Sequence, residues 1–102
     1  MSFKKILFIF FFIFSSSAVA DDKMALGLDV YNNKAHCGTC HTLQAAGSKS
    51  EIGPDFDRLK PQISQIIYAV KNGVGVMPAW EGILTFEEIE AVAYYIFNST
   101  NE

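Results

Sequence analysis

The sequence predicts a small all-α protein of three to four short helices, and three observations carry that expectation. Ile63, Ile66, Ile67 and Val70 recur at helical spacing, as do Ile89, Val92, Ala93 and Ile96. Thr85 with Glu88 three positions on forms a capping box in front of the second run. Between the helical stretches lie segments rich in glycine and proline.

The first segment is set apart by composition. Six of the nine Phe fall within the first fourteen positions. Lys4 and Lys5 precede the apolar run Ile6–Phe14, then come three serines and Ala18-Val19-Ala20, the small-x-small pattern of a signal-peptidase site. A cleaved signal peptide over residues 1–20 is expected. The nine-residue run is well short of the ~20 apolar residues a membrane-spanning helix needs, so no permanent membrane anchor is expected. Removing the first 20 of 102 residues leaves 82, room for a single domain over 21–102. Without Lys4 and Lys5 there are six basic residues against eleven acidic ones, a formal charge of −5 in place of −3. That balance disfavours a nucleic-acid partner, which requires a basic surface, and none is expected. A domain this small also rarely holds itself together by its apolar core alone, which implies a disulfide, a metal or a cofactor.

A short helix is expected over Lys23–Asn33, with Leu26, Val30 and Tyr31 near one face. The only two cysteines follow it, in Cys37-Gly38-Thr39-Cys40-His41. This is the attachment sequence of c-type haem. Two thiols three positions apart can each add to one of two neighbouring vinyl groups, and the next residue then turns its imidazole toward the iron. Other readings of the pair are weaker. A thioredoxin-like dithiol normally follows a strand, and no β-rich segment precedes this one. A tetrahedral zinc site would have to be built from His36, Cys37, Cys40 and His41, all within six residues, at severe backbone strain.

If His41 is one axial ligand of the iron, the opposite one should lie tens of residues downstream. Met77, 36 positions on, stands in Asn72-Gly73-Val74-Gly75-Val76-Met77-Pro78, where glycines allow unusual backbone and Pro78 stiffens the chain. A core methionine filling a gap is the alternative for this residue. A thioether opposite an imidazole favours ferrous iron, raises the potential relative to a second histidine, and closes the sixth position to ligands. Electron transfer is the expected output; a haem-based sensor or enzyme would require that Met77 not be a ligand. His36 is expected to be exposed and non-ligating. The stretch Leu43–Leu59 reads as a long loop with at most a short turn of helix, reasonable only if it wraps something. Pro61 is expected to begin the helix that Gly73 ends.

Taken together, Cys37–His41, Gly53-Pro54, Asn72-Gly73 through Met77-Pro78 and the last helix with Ala93-Tyr94-Tyr95-Ile96 give a chain that resembles the monohaem class I c-type cytochromes. The resemblance implies short helices wrapped around one covalently bound haem c. It also implies that the Pro54 carbonyl accepts a hydrogen bond from the His41 ring, orienting the imidazole and making it a better donor. It implies, further, a crossing of the first and last helices with Gly27 against Tyr95. One departure is visible: Tyr31 lies six positions before Cys37, where four is common in the family, so two residues are added around Asn32–Ala35. Leu59-Lys60-Pro61 and the Ala69–Ala79 segment are similar to the small cytochrome subunits of bacterial sulfite dehydrogenases. That similarity implies a periplasmic one-electron carrier with a sulfite dehydrogenase as donor and an oxidase or another cytochrome as acceptor.

Overall fold

The computed structural model describes residues 19–101. All but the last two residues of the expected signal peptide lie outside them. Helix α1 covers residues 19–29 and runs on into a wider π turn at Val30–Lys34. The remaining helices are α2 at Phe56–Leu59, α3 at Ile63–Asn72 and α4 at Phe86–Thr100. Among the described residues no helix is long and apolar enough to cross a membrane.

The core is the meeting of these helices. α4 presents Ile89, Val92, Ala93, Tyr95 and Ile96, all buried, and α3 packs along it through Ile66 and Val70. Thr85 accepts from Glu88 N while Glu88 accepts from Thr85 N, the reciprocal box expected from sequence. α3 starts two residues later than expected: Gln62 is the N-cap, paired with Gln65, and Pro61 is buried just before it. Proline is tolerated here because the amide it lacks is not required by the helix. Gly73 does end α3, at φ 74°.

α1 crosses α4 at Gly27. A Cβ on Gly27 would meet Ala91 O at 2.2 Å and Tyr95 Cβ at 2.5 Å, so the backbones touch where a side chain is missing. One turn on, the fully buried Tyr31 tilts against Tyr95 with ring centroids 6.0 Å apart and shares a 2.9 Å hydrogen bond with Ser48 Oγ. Burial pushes its phenol up to about 12. The added residues around Asn32–Ala35 lie in the π turn, closed by Ala35 N donating to Val30 O at 2.8 Å. A π turn takes in an extra residue without ending the helix, so Gly27 and Tyr31 keep their places against α4. Lys34, the last residue of the turn, pairs with Glu88 at the start of α4.

The expected loop Leu43–Leu59 is more structured than its composition suggests. Thr42–Leu43 (β1) pairs antiparallel with Ser48–Lys49 (β2) across a short helical turn, and Gly47 reverses the chain at φ 71°. α2 is the short helical turn foreseen. Its N-cap Asp55 accepts from Asp57 N at 3.0 Å and Arg58 N at 3.4 Å.

Candidate functional site

The Cys37–His41 segment leaves α1 through His36, which is exposed and holds a left-handed φ of 51°. Cys37–Thr39 form one tight helical turn, and the amides of Cys40 and His41 both donate to Cys37 O, at 3.1 and 3.0 Å. The two cysteines are free thiols at either end of that turn. Cys37 packs, half-buried, against the core, where burial pushes an unmodified thiol up to about 11. Gly38 is hemmed in by the hairpin: a Cβ there would lie 2.9 Å from Ser48 Cβ.

His41 is buried, and its ring is held on three sides. Nδ1 lies 2.8 Å from Pro54 O. A carbonyl only accepts, so Nδ1 is the donor in this bond, and in the neutral form of such a ring the lone pair lies on Nε2. The Phe56 ring stacks on the imidazole at 4.2 Å and 17°. Gly53 touches it from another direction; a Cβ would be 2.7 Å from His41 Cε1. Gly53 is fixed in turn by its amide, which donates to Cys40 O at 2.6 Å. Phe56 was not singled out from sequence. Asp55 as an N-cap two residues after Gly53 was the signal that a helix begins there and turns the following side chain inward.

Met77 sits in a separate loop, half-buried against the same core that Cys37 packs on. Its loop is rigid for identifiable reasons. Val74 and Met77 exchange backbone hydrogen bonds of 3.1 and 2.9 Å around Gly75 at φ 57°. The loop then folds back over the end of α3: Trp80 N donates to Val70 O at 2.8 Å, and a Cβ on Gly73 would lie 2.6 Å from Met77 O. Val76, Pro78 and Ala79 are exposed, Val76 at 94%.

This donor set fits a covalent haem. Two cysteines flank one turn, the next side chain is an imidazole whose Nδ1 is engaged by a carbonyl, and a soft thioether stands on a second, braced loop. Among the described residues no group of three or more His, Cys, Asp or Glu could hold a metal ion.

Comparison with known proteins agrees. Residues 22–96 match the family described as cytochrome c oxidase, cbb3-type, subunit III. The chain is 37% identical over 98 residues to the chloroplastic cytochrome c6 of Chlamydomonas reinhardtii, covering 86% of this chain and 62% of that protein. It is 35% identical over 88 residues to cytochrome c6 of Tetradesmus obliquus, covering 76% of this chain and 92% of that one. Among solved structures it is similar to the c-type cytochrome SorU from Sinorhizobium meliloti, with a TM-score of 0.74, 44% identity, and coverage of 80% of this chain and 95% of that one. These likenesses set aside the reading of Cys37 and Cys40 as a haem-free dithiol. With a Cys-x-x-Cys-His turn docked on crossed terminal helices, the chain belongs to the class I c-type cytochromes, electron carriers that hold a single covalent haem c.

Proposed function

We propose that the chain is an exported, periplasmic one-electron carrier with His/Met ligation and no enzymatic activity of its own. In this reading residues 1–20 are removed as a signal peptide and 21–102 form the cytochrome domain. Cys37 and Cys40 form the thioether links, His41 and Met77 are the axial ligands of the iron, and Pro54 orients His41 through its carbonyl. The observation that carries the reading is the bond between His41 Nδ1 and Pro54 O, because it engages one ring nitrogen with a carbonyl and so supports Nε2 as the donor to iron. When bound, the haem supplies a one-electron ferric/ferrous couple.

The chain's own residues do the rest. Phe56 and Gly53 keep the imidazole from turning, and the Val74–Met77 turn keeps the thioether from swinging away. The exposed Val76, Pro78 and Ala79 offer uncharged, apolar side chains to a redox partner, and Thr39, also exposed, adds no charge. We infer a sulfite dehydrogenase as the donor, on the similarity of the Leu59–Pro61 and Ala69–Ala79 segments to the small cytochrome subunits of those enzymes, and an oxidase or another cytochrome as the acceptor. Purification from the native periplasm tests this directly. Intact mass should give a chain beginning at Asp21 with one haem added, and the ferrous spectrum should not change under carbon monoxide. A sulfite dehydrogenase should co-purify or reduce the protein in the presence of sulfite. A carbon monoxide complex in the wild-type protein would instead point to an open sixth position and to a sensor or enzyme.

A further inference from the structure

The Nδ1–Pro54 bond holds one atom of the His41 ring, but a single hydrogen bond leaves the ring free to swing about it. The torsion that sets the plane of a histidine ring is intrinsically broad, so the plane must be decided by what lies against its faces. Here that neighbour is Phe56, stacked at 4.2 Å and 17°. Gly53 bears on the Cε1 side, where even a methyl group would collide.

Phe56 is itself well placed to impose an orientation. It is the first residue of α2, 9% exposed and part of the main core. The Asp55 cap holds the start of that helix, Lys60 N donates to Phe56 O at 2.8 Å, and Asp57 Oδ2 accepts from Gln44 N at 2.8 Å. The last contact ties α2 to the turn that follows β1, three residues after His41. Ring and imidazole are therefore fixed to one short piece of structure.

We propose that Phe56 is a positioning residue for electron transfer: its flat face sets the plane of the His41 imidazole about the axis of its bond to iron. The proposal rests on His41 being an axial ligand. An aliphatic side chain of similar bulk would fill the space and preserve the core, but it has no plane to impose. The plane of an axial imidazole determines how its π orbitals meet those of the iron, so this orientation is read by the ferric spectrum and by the reduction potential.

The test compares Phe56→Leu, Phe56→Tyr and Phe56→Ala as holoproteins. Phe56→Tyr keeps a flat ring and should retain the wild-type ferric electron paramagnetic resonance g values and the wild-type order of haem methyl shifts in proton NMR. Phe56→Leu should shift and broaden the g values, reorder or compress the methyl shifts and move the reduction potential, while helical circular dichroism stays that of the wild type. Phe56→Ala should show the same spectral changes more strongly. Wild-type g values and methyl shifts in Phe56→Leu would overturn the proposal and leave Phe56 as a core residue only. The ligand reading is checked separately: His41 ring protons without strong paramagnetic shifts in the wild-type protein would remove His41 from the iron, whatever the Phe56 variants do.

Discussion

Met77 is presented by a turn whose geometry owes little to methionine itself. Val74 and Met77 close on each other, Gly75 takes the left-handed conformation, and Gly73 leaves room for Met77 O at a distance no Cβ would permit. Substitutions at Met77 should therefore leave the loop in place, and under the proposed His/Met ligation they should change the iron's sixth ligand. Met77→His should keep a six-coordinate, low-spin spectrum but lower the reduction potential, because a second imidazole stabilises ferric iron more than a thioether does. Met77→Ala should bind carbon monoxide in the ferrous state and azide in the ferric. Redox titration and ligand-difference spectra check both; wild-type potential in the first variant and no ligand binding in the second would remove Met77 from the iron.

At the level of elements, the crossing of α1 and α4 is the contact most sensitive to a single atom. Gly→Ala inside a helix usually adds about 0.5–1 kcal/mol of stability by restricting the unfolded chain. At Gly27 the sign should reverse, since the new methyl would meet Ala91 O and Tyr95 Cβ and force the helices apart, a cost of about 1–3 kcal/mol. Thermal unfolding of the holoprotein measures it.

The same pair of helices is joined at its edge by Lys34 and Glu88, where the side chain of Glu88 also caps α4. The hydrogen bond from Lys34 holds the Glu88 carboxyl below its ordinary range, and the same bond raises Lys34. A lowered carboxylate contributes stability that is present above its unfolded value and lost as pH falls through its folded one. A raised amine contributes below its unfolded value and loses that contribution as pH rises through its folded one. The clasp should thus support the fold at neutral pH and weaken at both acid and strongly alkaline extremes. Because the pair lies at the surface, solvent and salt screen it, and its effect should be small. In Glu88→Gln the acid limb of a stability-against-pH curve should flatten; an unchanged limb would show that the clasp contributes nothing.

On the scale of the whole molecule, much of the chain is not held by protein alone. α2 is a single turn, the β1–β2 pair is two residues long on each side, and isolated helices shorter than about 12–15 residues are marginal in water. Ile52, Leu59 and Val74 are exposed apolar side chains on the segments that bracket the site. The haem is expected to complete this core, so the chain without it should be largely unfolded. Changing Cys37 and Cys40 to Ala should abolish covalent haem and most of the helical circular dichroism. A double variant with native helicity and a cooperative transition in the absence of haem would show that the protein core suffices.

What could be read in one dimension and what could not divides along physical lines. Regular periodicity and local chemistry are written in neighbouring residues: the α3 and α4 faces, the Thr85–Glu88 box and the Gly73 stop all appear where spacing and turn chemistry place them. The Cys37–His41 run, too, announces its cofactor because attachment requires those groups within one turn. The placement of α3 behind Gln62, the pairing of β1 with β2 and the π turn before Cys37 were not legible in this way. The first is a local box, Gln62 with Gln65, that its residue types do not advertise; the other two segments are joined to the rest by contacts between residues far apart in the chain, Lys34 with Glu88 and Tyr31 with Ser48. The orientation of His41 belongs to the same class. Sequence alone supplied the imidazole and, through family resemblance, the Pro54 carbonyl; only tertiary structure brought the Phe56 ring against it, because a stacked pair fifteen residues apart is made by the folding back of the chain and by no local preference.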